Sequence, residues 1–208
     1  MSYSQFTLDD IEPNFNVTIT EKVGIFNDIP QKEHSQFLQK LLSYNIPLAL
    51  DIATEKARSE MIITPILIEL KKQFNSQISL FSGKEFNVDL EKGLTGYCDY
   101  LISYSPSQLL IKSPVITLVE AKNDNIQSGL AQCMAEMIAA QLFNQNHSNS
   151  IPTIYGGVTT GTNWKFMRLT EKIIEVDSQE YFLNPISKII GILSHFIRTG
   201  ADSIGLHP

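Results

Sequence analysis

The sequence predicts an α/β fold in which a central mixed β-sheet is flanked by helices. Three observations predict it. Short runs over 97–104, 115–122, 153–159 and 164–169 read as strands, apolar and bounded by turn residues. Apolar residues recur at helical spacing over 31–44, 47–74, 126–143 and 184–200. The two kinds of run interleave from residue 47 on, as helix, two or three strands, helix, strand, then a hairpin and a terminal helix. Such an order layers helices on a sheet.

Residues 1–30 read as an irregular arm, in which Phe15, Val17 and Ile19 allow one short strand. Phe37, Leu38, Leu41 and Leu42 make the stripe of a first helix, which Asn45-Ile46-Pro47 interrupts. The helix over 47–74 carries Ile62, Ile63, Ile66, Leu67, Leu70 and Phe74, with a kink expected at Pro65. The runs 78–81 and 86–88 read as a hairpin or one bent strand around Ser82-Gly83-Lys84. Asn123-Asp124-Asn125 offers cap chemistry for the helix over 126–143, with Ala131, Ala135 and Ala139 as a small flank and Gln132 and Glu136 opposite the apolar stripe. A polar loop follows over 144–150. The hairpin is 153–159 and 164–169, and a further strand is expected at 173–176. Asn184 is expected to cap the last helix, whose face is Ile186, Ile189, Ile190, Leu193, Phe196 and Ile197. With no repeat or linker, the chain reads as one domain over 1–208: arm and first helix 1–46, core 47–169, C-terminal strand and helix 170–208.

The 208 residues are 43% hydrophobic and only 18% charged, with a net charge of −6. That excludes binding nucleic acid by bulk attraction, which rests on Lys and Arg displacing counterions. A local basic groove stays open. Cys98 and Cys133 have no zinc spacing, and reduced thiols in the cytoplasm are the expectation. No apolar stretch approaches the ~20 residues of a membrane span, so no membrane partner is expected. His34, His147, His195 and His207 match no metal spacing, and nucleophile-elbow, P-loop and dinucleotide glycine patterns are absent.

The strands over 97–104 and 115–122 carry the candidate chemistry. Strand 115–122 is apolar up to Val119 and then turns charged at Glu120-Ala121-Lys122. Period two sends Glu120 and Lys122 to one face, and pairing of the two strands brings Asp99 beside it. Charges at such a place need a partner, a metal or water.

A helix bearing an acid, a strand bearing an Asp, a strand ending Glu-x-Lys and a helix bearing Gln together resemble the PD-(D/E)XK nuclease superfamily, over about residues 54–169. The chain is also similar to small bacterial members of it, frequent in cyanobacteria. The resemblance implies a restriction-endonuclease-like αβββαβ core, here with an extra N-terminal helix and a C-terminal hairpin and helix. Glu120-Ala121-Lys122 corresponds to the (D/E)xK element and Asp99 to the preceding acid; Cys98 stands where the name expects Pro. Glu60 corresponds to the acid of the first helix, with Glu55 and Glu69 as rivals. Gln132 lies ten residues beyond Lys122, where several branches place a helix Gln.

What the resemblance implies is Mg²⁺-dependent hydrolysis of DNA phosphodiesters, with Mn²⁺ as a substitute. Asp99, Glu120, the Ala121 carbonyl and Glu60 would hold metal, Lys122 would orient the water or meet developing charge, and Gln132 would support them. The bland readings are a strand-end ion pair for Asp99, Glu120 and Lys122, and a solvated helix residue for Gln132. Trp164 and Phe166 read as core; Lys165 and Arg168 read as phosphate contacts or as charges on an edge strand. The alternative function is a non-catalytic nucleic-acid-binding or assembly protein on the same fold. A homodimer through the last helix is expected for a cutter of duplexes, unless that helix packs on its own sheet.

Overall fold

The computed structural model describes residues 1–75, 77–149, 151–203 and 205. Among these, one mixed sheet holds β1 (Thr18–Lys22), β2 (Ser79–Glu85), β3 (Tyr97–Ser103), β4 (Val115–Ala121), β5 (Thr153–Thr159), β6 (Asn163–Thr170), β7 (Ile173–Asp177) and β8 (Tyr181–Phe182). The spatial order is β1-β7-β6-β5-β4-β3-β2, with β8 beside β6. β1 with β7 and β4 with β5 run parallel; the other neighbours are antiparallel. A parallel pair needs a crossover, and α5 (Gln127–Asn146) supplies it between β4 and β5.

Alternation along β5 shows how the layers form. Tyr155 stacks on Phe196 of α6 (Ile186–Asp202), with ring centroids 4.2 Å apart. The next residue, Gly156, faces α5: a Cβ there would fall 2.3 Å from Met137 Sδ and 2.9 Å from Cys133 Sγ. Neighbouring strand residues point to opposite faces, so α5 and α6 cover opposite faces of the sheet. Ile189, Ile190, Leu193, Phe196 and Ile197 are all buried. The last helix therefore spends its apolar face on its own sheet. Trp164 and Phe166 are fully buried core residues.

Several expectations are corrected. The arm is built into the fold: a 3-10 turn (Tyr3–Gln5), α1 (Leu8–Phe15) and β1 occupy it, and the turn and α1 pack on the outer side of α5. The first helix, α2 (Gln36–Ile52), runs through Pro47. The break comes instead at Ala53, which takes a left-handed φ of 55°, and at Thr54, whose Oγ1 accepts the Ala57 N–H to start α3 (Glu55–Arg58). A π-helical segment, Ser59–Ile63, leads into α4 (Thr64–Gln73), which accommodates Pro65 in its first turn. Of the hairpin or one strand allowed around Ser82-Gly83-Lys84, the chain forms the one strand, β2. Pro185, not Asn184, holds the cap position of α6. β6 is interior to the sheet, so Lys165 and Arg168 guard no edge: Lys165 Nζ donates to the Ser178 carbonyl and Arg168 pairs with Glu175. α5 extends into the expected 144–150 loop as far as Asn146; Ser150 lies outside the described residues, as does His207.

Candidate functional site

The β3–β4 ladder pairs Tyr100 with Val119 and stops there. Asp99 and Glu120 come next on their strands, where the two diverge. Asp99 takes over the hydrogen bond that the ladder gives up: its Oδ2 accepts the Ala121 N–H at 2.8 Å. On the other side β4 stays in register with β5, pairing Glu120 with Val158, and the Lys122 N–H donates to the Thr159 carbonyl at 2.8 Å. Glu120 is thus fixed by backbone on the β5 side and lies beside Asp99 on the other.

Lys122 folds back on Glu120 and donates to Oε1 at 2.5 Å. Its stem runs beneath the first turn of α5, where Gly129 leaves room: a Cβ there would meet Lys122 Cε at 3.0 Å. Glu120 is 1% exposed, and its Oε2 is buried without a hydrogen-bond partner. Burial, reinforced by the negative charge of Asp99, pushes the Glu120 carboxyl up to about 8, although Lys122 pulls it down. Burial lowers the Lys122 ammonium, but the charges of Glu120, Glu55 and Asp99 outweigh it and leave it raised.

Glu60 does not point inward. It lies on the π segment with its side chain 62% exposed, 3.8 Å from Lys56. Ile62 and Ile63 take the interior positions instead. The segment is tied to β3 by Tyr100, whose hydroxyl donates to the Ser59 carbonyl and bonds Thr64 Oγ1. Glu55, Lys56, Glu60, Thr64, Asp99 and Tyr100 then line one cleft of about 360 Å³. Its charged groups are mostly acids. Glu55, not Glu60, is the helix acid whose charge acts on Glu120 and Lys122. Glu69 is elsewhere, accepting the Ser35 N–H and hydroxyl at the start of α2.

Gln132 is half-buried and donates to Glu136 Oε1 at 3.1 Å. Glu136 is 0% exposed and its Oε2 has no partner. Burial raises its carboxyl well above the usual range, with Glu120 as the strongest charge acting on it. Sequence periodicity set Glu136 on a solvated face; a buried acid facing the charged end of β4 was missed. The only signal was its i+4 spacing from Gln132.

A second polar cleft, about 350 Å³, lies beyond the end of β4 between Arg58, Asn123, Asn125 and Thr160, with Arg58 Nη1 donating to the Thr160 carbonyl at 3.0 Å. A larger apolar cleft of about 600 Å³, between α2 and residues 182–187, holds none of these acids. Among the described residues no three His, Cys, Asp or Glu side chains form a group that could hold a metal ion, and no helix is long and apolar enough to cross a membrane. The site offers two acids, Asp99 and Glu120, where Mg²⁺ needs only one or two, completing its shell with waters and phosphate. The orphaned Glu120 Oε2 fits such an ion. No family model matches the chain, and no curated protein matches it.

Proposed function

We propose that the chain is a metal-dependent nuclease with a restriction-endonuclease-like core, hydrolysing DNA phosphodiesters at Asp99, Glu120 and Lys122. The observation that carries this reading is the meeting of Asp99, Glu120 and Lys122 where β3 and β4 diverge, with one buried Glu120 oxygen left free. Asp99 and Glu120, with the Ala121 carbonyl, would hold Mg²⁺ or Mn²⁺. The bound ion supplies charge compensation at the phosphoryl oxygen and a more acidic water. Lys122, already seated against Glu120, holds its ammonium where charge develops on the attacked phosphate. Asp99 fixes the Ala121 backbone through its N–H. Glu55 and Glu60 both line the cleft beside Asp99, Glu55 being the one whose charge acts on Glu120 and Lys122, and Gln132 acts through Glu136.

A second reading, a non-catalytic assembly or nucleic-acid-binding protein on the same fold, is favoured by one observation: the cleft beside Asp99 is acidic, with Lys56 as its one cation among the lining residues. A homodimer, on either reading, would use a surface other than the apolar face of α6. Mn²⁺ titration followed by electron paramagnetic resonance separates the readings. The nuclease reading expects wild-type protein to quench the free-ion signal and Asp99→Asn with Glu120→Gln to lose that quenching. No quenching by wild type would favour the second reading.

A further inference from the structure

We propose that α2 is the interface of a homodimer, in which two copies of the chain lay this helix antiparallel against itself about a two-fold axis between Tyr44 and Asn45. The inference does not rest on the nuclease reading.

Its first support is the composition of α2. A helix on the surface of a fold carries apolar residues toward the core and polar or charged ones opposite. Of the 17 residues of α2 only Lys40 and Asp51 are charged, and only Leu38, Leu42 and Ala49 are buried. The helix packs against α3, the π segment and α4. The rest of its apolar surface is left outside.

That outer surface is ordered. Phe37, Leu41, Tyr44, Leu48 and Ile52 follow one another at intervals of four, three, four and four, which makes one stripe on a helix. Phe37 and Tyr44 are 72% and 73% exposed, Leu48 and Ile52 are 41% and 44% exposed, and Leu41 is half-buried. Single apolar residues on a surface are ordinary. A stripe running along a helix about 25 Å long is the kind of seam by which helices pair.

The stripe is complementary to itself. A two-fold axis at its middle sets Phe37 against the partner's Ile52, Leu41 against the partner's Leu48, and Tyr44 beside the partner's Tyr44. At about 100° per residue, Lys40 and Asp51 border the stripe on the same edge. Antiparallel pairing about a two-fold joins like edges, and it leaves Lys40 about 3 Å of axial rise from the partner's Asp51. The ammonium and the carboxylate so meet twice, once at each end. In a parallel pair both would face the opposite edge, where α2 carries no charge. Both residues are exposed, and neither has a salt bridge within the chain among the described residues. A different protein would need a matching stripe and matching charges; a second copy has them by symmetry.

Sedimentation equilibrium tests this with wild type, Y44E, F37E, K40E, D51K and the double variant K40E/D51K. Wild type is expected at twice the chain mass. Y44E places two carboxylates at the centre of the seam and should be a monomer. Tyr44 is largely solvated in the single chain, so the far-UV circular dichroism of Y44E should match wild type; F37E repeats the test at the end of the stripe. K40E and D51K each break two exposed ion pairs per dimer and should raise its dissociation constant roughly 2–30-fold. K40E/D51K exchanges the charges and should restore wild-type affinity. Wild type remaining a monomer well above micromolar concentration would overturn the proposal and leave this face to a different protein. A dimer that survives in folded Y44E and F37E, or a double variant as weakened as the single ones, would also overturn it.

Discussion

Gly129 lies against Lys122: a Cβ built on it would sit 3.0 Å from Lys122 Cε and 2.7 Å from Val158 Cγ1. Neither neighbour is free to retreat. Lys122 is held by its backbone bond to Thr159 and by Glu120, and Val158 is in the middle of the sheet. Gly129→Ala gains about 1 kcal/mol of helix propensity, but overpacking costs about 1–3 kcal/mol. The net expectation is a lower melting temperature and a Lys122 ammonium pushed off Glu120, read by calorimetry and by a loss of metal-dependent cleavage larger than the loss of stability explains.

Asp99 does two jobs that substitution separates. Asp99→Asn keeps an oxygen for the Ala121 N–H and should fold with near-wild-type stability. Asp99→Ala leaves that N–H without its partner, at a cost of about 1–3 kcal/mol. Cleavage should be lost in both. Urea denaturation beside a cleavage assay checks this, and an active Asp99→Asn would remove the carboxylate from the chemistry.

The raised Glu120 carboxyl fixes the sign of a pH effect. Between about 4.5 and about 8 the unfolded chain has lost this proton while the folded chain keeps it. The unfolded state then binds fewer protons, so stability falls as pH rises through that window. Glu136 acts in the same direction. Glu175, lowered by hydrogen bonds from Arg168 and Lys22, acts oppositely, and its contribution is lost as pH falls below the usual carboxylate range. Melting curves in EDTA should therefore show a temperature that declines from pH 4.5 to 8, with a shallower decline in Glu120→Gln. An equal slope in that variant would count against the buried acid.

The sheet and the charged end of β4 were legible because period two and a change from Val119 to Glu120 are local signals. The pairing of Asp99 with that end followed from the order of two adjacent strands. Glu136 was not legible, because the amphipathic reading of α5 presumes that one face of the helix is solvated. In the fold Gly129 and Cys133 turn to the sheet, and Tyr3–Gln5 and α1, from an arm that shows little periodicity, pack on the helix as well. A helix covered on both sides buries its polar residues too. Glu60 was expected to face inward because it adjoins Met61-Ile62-Ile63; in the π segment Ile62 and Ile63 are the buried residues, and the Glu60 side chain stays largely exposed, lining the cleft it shares with Asp99.

Asn144 gives a test of the fold away from the acids. Its side chain both accepts the Val115 N–H and donates to the Val115 carbonyl, each at 2.7 Å, and it is 1% exposed. Asn144→Leu leaves two buried backbone groups unpaired at the start of β4, and the expected loss is about 2–5 kcal/mol. Thermal denaturation reads it directly.

Plasmid cleavage after Mg²⁺ or Mn²⁺ is added to EDTA-treated protein, wild type beside Lys122→Met, asks whether this site cuts DNA. The Met variant keeps the buried stem beneath Gly129 and removes only the ammonium. Metal-dependent nicking or linearisation is expected of wild type and none of a folded Lys122→Met. Cleavage that survives in Lys122→Met would contradict it.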